Sequence, residues 1–81
     1  MVNYHLKNLI LEVVDRQLAD NDPECTQQTL KRLMKEGCSR QRAIEMIGGV
    51  IAEEIYRLSK NKEIFNEERF AAGLAKLSDN E

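Results

Sequence analysis

SRQRAIEMIGGVIAEEIYRLSK, residues 39–60, is the longest uninterrupted helical pattern in the chain. On a wheel of about 100° per residue, Val50, Ala43, Ile47, Leu58, Ile51, Ile44, Ile55 and Gly48 cover an arc of roughly 160°, wider than a surface helix needs. This predicts a central helix, capped by Ser39, with shorter helices packed around it.

Working outward, the segment before it reads as a helix over residues 23–36. Asp22 suits the N-cap, Pro23 the first helical position and Glu24 the positive end of the dipole. Thr26, Leu30, Leu33 and Met34 form its inward face, and Gly37 is the stop. A first helix over residues 4–19, capped by Asn3, turns Leu6, Leu9, Ile10, Val13, Val14 and Leu18 inward. Gln17 falls in the middle of that apolar arc and calls for a buried hydrogen-bond partner. After the central helix, Asn66 caps a fourth helix over residues 67–77, with Glu67 and Glu68 in its first turn and Phe65 and Phe70 spaced as a hydrophobic staple. Phe70, Ala71, Leu74 and Leu77 face inward, and a polar tail frays beyond. The expected fold is therefore all-α, a compact four-helix bundle with a long third helix.

The chain has 81 residues, 42% hydrophobic and 32% charged, with no Trp. That describes one small helical domain with an aliphatic core. A net charge of −2 argues against sequence-independent binding to nucleic acid or anionic membrane. No signal-peptide or membrane-spanning pattern is present, so a cytoplasmic location is expected. Cys25 and Cys38 bracket the second helix, which separates them by about 20 Å, so both are read as free thiols.

Signals for chemistry are few. The single histidine, His5, reads as a surface residue, and no spacing of metal ligands is present, so no metal or other cofactor is implied. Glu53 and Glu54, adjacent on a helix, point about 100° apart and cannot act as a dyad. Glu54 falls inside the apolar arc. Read most simply its carboxylate reaches water from the edge; if buried it needs Gln17, Tyr4 or a basic group as partner. Gly48 and Gly49 each cost about 1 kcal/mol relative to Ala inside a helix, which favours a close helix crossing there over a kink or a ligand approach. Lys31, Arg32, Lys35, Arg40 and Arg42 cluster around a glycine turn in the manner of a helix-turn-helix, whose second helix would present Arg40, Gln41 and Arg42. That helix is too apolar to lie free in a groove.

Taken together, Gln17 to Glu24, the turn Gly37-Cys38-Ser39-Arg40 leading into Ala43-Ile44, Ile47-Gly48, Ala52 to Tyr56, and Phe65 to Arg69 resemble an uncharacterised prokaryotic family of small helical proteins, a domain of unknown function. The resemblance implies an all-helical fold and a metal-binding arrangement of paired histidines on the first and third helices. The matching positions here are Lys7 and Leu11, and Gln41 and Glu45, so the histidines are absent. Lys7, Gln41 and Glu45 then form a candidate polar site in which Lys7 approaches Glu45 or Gln41, or each side chain points separately into solvent.

The function expected is that of a protein-interaction or accessory module without catalysis, its partner another protein or a second copy. The alternatives are a divergent metal-site or hydrolase-like domain, and a nucleic-acid binder using the basic turn.

Overall fold

The computed structural model describes residues 4–62 and 64–78, with side-chain surroundings from Lys7 onward. Among them the chain forms four helices and no strand: α1 (Tyr4–Asp20), α2 (Glu24–Lys35), α3 (Arg40–Lys60) and α4 (Glu67–Ala75). The fold is an all-α four-helix arrangement with a long third helix. The expected Asn3 cap, the side chains of Tyr4, His5 and Leu6, and tail residues 79–81 lie outside the described residues.

The helix ends follow from local chemistry. Asn21 adopts a left-handed conformation (φ 51°) after α1, letting the Asp22 N–H donate to the Gln17 carbonyl at 3.1 Å and the Asn21 N–H to that of Leu18 at 3.3 Å. Gly37 (φ 112°) does the same after α2: the Cys38 N–H reaches the Leu33 carbonyl at 3.0 Å and the Gly37 N–H that of Met34 at 3.1 Å. Both are Schellman turns, the second closed by the core side chains of Leu33 and Cys38. Ser39 Oγ caps α3 by accepting from the Arg42 N–H at 3.1 Å, and Asn66 Oδ1 caps α4 from the Arg69 N–H at 2.9 Å.

Two boundaries differ from the sequence reading. Pro23, not Asp22, occupies the N-cap of α2, because its ψ of 151° keeps it extended, and no side chain caps that end. The fourth helix stops at Ala75 rather than residue 77, its last turn tightening into hydrogen bonds from Lys76 N–H to Gly73 and from Leu77 N–H to Leu74.

α3 packs against all three other helices, and α2 also meets α1 and α4. Among the described residues no Cα of α1 comes within 8 Å of one in α4. The core comprises Val14, Leu30, Leu33, Cys38, Ala43, Ile44, Ile47, Ile51, Phe70 and Leu74. This open seam explains most departures from the expected inward faces. On α1, Leu9 and Val13 are exposed while Leu11 is half-buried, because the helix lies on α2 and α3 but has no α4 against its other flank. On α2, Met34 is exposed and Thr29 is buried in its place. Two glycines mark close approach. A Cβ on Gly48 would stand 3.2 Å from Ile10 Cγ2, and one on Gly73 would stand 3.0 Å from Val50 Cγ1, so α1 and α4 each press on α3 through a glycine. Gly49, expected to share the crossing, has nothing within 4 Å of its Cβ direction.

Candidate functional site

α1 crosses α3 at Gly48, and hollows open on both sides of the crossing. On one side Lys7, Ile10 and Leu11 of α1 face Glu45, Gly48, Gly49 and Ala52 of α3 across a cleft of about 280 Å³. At Leu11 and Glu45 the cleft adjoins a second hollow bordered by Leu11, Asp15, Arg40, Gln41, Ile44 and Glu45. Lys7, Gln41 and Glu45 therefore border one seam around Leu11. Among the described residues neither Lys7 nor Glu45 takes part in an ion pair.

On the other side lies the gap between α1 and α4. Ile51, Ile55 and Leu58 of α3 floor it, Val13 and Gln17 form the α1 wall, and Phe65, just before α4, with Phe70 of α4 forms the facing wall, enclosing about 190 Å³. The Phe65 and Phe70 rings pack at 5.7 Å between centroids, tilted by 53°. Phe70 is fully buried, and the outer ring remains 44% exposed.

The polar groups beside this groove are bound internally. Glu54 is buried, and Arg69 of α4 grips it with two hydrogen bonds, Nε to Oε1 at 2.8 Å and Nη2 to Oε2 at 2.9 Å. The carboxylate thus does not reach water from an edge, and of the partners expected for a buried Glu54 it is the basic group, Arg69, that binds it, with Gln17 engaged elsewhere. Hydrogen bonds from Arg69 hold its pKa below the usual carboxylate value despite the opposing effect of burial; the charges of Arg69 and Arg57 act in the same lowering direction. Gln17 Oε1 accepts from the Thr26 hydroxyl at 2.8 Å, joining α1 to α2. Among the described residues no buried side-chain nitrogen or oxygen lacks a partner. What the groove offers to solvent is hydrocarbon.

The basic cluster is divided. Arg32 is committed, donating to Glu36 Oε2 at 2.9 Å and to the Leu74 carbonyl at 3.0 Å, so it ties α2 to the end of α4. Lys31, Lys35, Arg40 and Arg42 are exposed, whereas Ala43, Ile44 and Ile47 of α3 are buried in the core. α3 is thus a core helix that could offer a groove of nucleic acid only its first turn.

Neither Cys25 nor Cys38 is joined in a disulfide. Burial, with the negative charge of Glu67, pushes the Cys25 pKa up, so this thiol stays protonated. Cys38 is buried with its Sγ 3.8 Å from Met46 Sδ. Among the described residues no three His, Cys, Asp or Glu side chains gather as a metal-ligand set, and no helix is long and apolar enough to cross a membrane.

Sequence reasoning missed Arg69 and the open α1–α4 seam. Arg69 carried one faint signal, a cation in a first turn where acidic residues are favoured. Nothing local links it to a residue 15 positions away.

These features define a small helical module with an apolar groove on one flank of α1 and a charge-rimmed cleft on the other. Comparison with models of known families, with curated proteins and with solved structures finds no match to the chain.

Proposed function

We propose that the protein is an interaction module that receives an apolar segment of a partner protein in the groove between α1 and α4. One observation carries this reading. Val13, Ile55, Leu58 and Phe65 are 38%, 39%, 36% and 44% exposed around a gap left where two helices of the bundle do not meet. A chain this small has little apolar surface to spare, and clustering four such side chains at one place favours association. The neighbouring polar groups support it further, since Glu54, Arg69 and Gln17 are engaged within the fold. Apolar anchor side chains, which contribute most at interface centres, match such a groove.

The test uses the whole chain as bait in its native cell extract, with sedimentation equilibrium to detect self-association. Leu58→Asp and Val13→Asp serve as controls whose denaturation midpoints are checked. The wild type is expected to capture a partner or to self-associate, and both variants to lose that association while remaining folded. Identical behaviour of wild type and folded variants in both assays would refute the reading.

A further inference from the structure

The cleft on the other flank of α1 is a separate feature, and we propose that it binds a small zwitterion with an apolar tail, an aliphatic or aromatic α-amino acid. Three observations point the same way. The lining is hydrocarbon, from Ile10, Leu11 and Ala52, with Gly48 and Gly49 leaving it open, and its volume of about 280 Å³ lies just under that of drug-sized ligand pockets, which suits a smaller molecule. Opposite charges stand on opposite walls, Lys7 from α1 and Glu45 from α3, and neither is ion-paired among the described residues.

The third observation is Gly49. Glycine in a helix interior is unfavourable relative to alanine. Gly48 has a packing reason, the Ile10 side chain against it, whereas nothing lies within 4 Å of where a Gly49 Cβ would stand. Helix crossing therefore does not account for Gly49. Its effect is to widen the cleft beside Glu45, and a larger side chain there would lie back over the preceding turn, toward the space a ligand needs.

The charges select the ligand class. A neutral apolar molecule would leave both unused, and a simple carboxylate or amine would satisfy one of them. A zwitterion places its carboxylate by the Lys7 ammonium and its ammonium by the Glu45 carboxylate, while its tail displaces water from the apolar floor. Both charged side chains are exposed, so each contact should change affinity only about two- to fivefold. The tail supplies the rest.

The experiment is a backbone amide chemical-shift titration of the full chain with leucine and with phenylalanine. Glycine, 4-methylpentanoate and isopentylamine are the control probes. Saturable shifts are expected at Leu11, Gly48, Gly49 and Ala52 with both amino acids. Glycine should bind at least tenfold more weakly, and the two singly charged analogues two- to fivefold more weakly. Gly49→Leu should abolish the shifts. Lys7→Gln and Glu45→Gln, at exposed positions that leave folding intact, should each weaken binding two- to fivefold, so the outcome does not depend on whether Gly49→Leu folds. The proposal is overturned by an absence of saturable shifts at millimolar leucine and phenylalanine. Shifts that persist in a folded Gly49→Leu chain would overturn it too, as would 4-methylpentanoate or isopentylamine binding as tightly as leucine.

Discussion

Glu54 and Arg69 join the central helix to the last one through a bidentate pair whose acidic member is buried and whose basic member is 31% exposed at the side chain. Removing the cation strands a buried carboxylate, which costs more than the pair itself contributes. Arg69→Met should therefore destabilise the fold by about 2 kcal/mol at neutral pH, the partial exposure of the site keeping the loss below that of a fully buried pair. The pH dependence has a definite sign. Glu54 is held below its ordinary value of 4.5, so its contribution is complete above that value and is lost as pH falls through the depressed one. Urea denaturation at pH 7, 4.5 and 3 should show the wild type losing stability across the acid range and Arg69→Met losing less. Equal acid sensitivity would mean that the pair is not the linked group. The two adjacent glycines make a second contrast at this scale. Gly49→Ala meets open space and should gain about 0.5 to 1 kcal/mol from helix propensity. Gly48→Ala must displace Ile10, whose Cγ2 lies only 3.2 Å from the new Cβ, and should show no such gain. Matching midpoints for the two variants would remove the packing distinction between them.

A nine-residue helix such as α4 has too few turns to stand alone and depends on its ends and its docked face. Its Asn66 cap and the Phe65–Phe70 contact are local features, set by residues three to five apart, and for that reason they could be read directly from the sequence. The Ser39 cap and the Gly37 stop were legible for the same reason. The face of α1 was not. Its wheel shows a broad apolar arc, but which part of an arc is covered depends on the neighbours that reach it, and Leu9 and Val13 fall on the side that α4 leaves open. The pairing of Glu54 with Arg69 was likewise hidden, since burial could be suspected from the wheel while the partner lay on another helix. With its ring 44% exposed, Phe65 should matter less than a core aromatic: Phe65→Ala is expected to cost about 1 to 2 kcal/mol, the low end for a Phe truncation. A denaturation midpoint equal to that of the wild type would show that the staple does not hold α4 in place.

Stability should be graded across the molecule because burial is. α3 contributes Ala43, Ile44, Ile47 and Ile51 to the core, while from Lys7 onward α1 contributes Val14 alone, helped by half-buried Ile10, Leu11 and Leu18. From Lys7 onward α1 places fewer fully buried side chains in the core than α3 does, and local openings are expected to follow that difference. We predict that native-state hydrogen exchange will give the amides of residues 10–18 an opening free energy at least 1 kcal/mol below that of residues 44–51, since one fully buried Val side chain alone is worth about 1.5 to 3 kcal/mol. A common value for both segments would make the bundle one cooperative unit and end this account. The difference bears on function because α1 forms a wall of both the groove and the cleft. A ligand bridging Lys7 and Glu45 makes contacts that an opened α1 cannot keep, so saturating leucine should slow exchange in residues 10–18 and leave α3 nearly unchanged. Protection that rose equally in α1 and α3 would place any binding effect on global unfolding rather than on the hold of α1 against its neighbours.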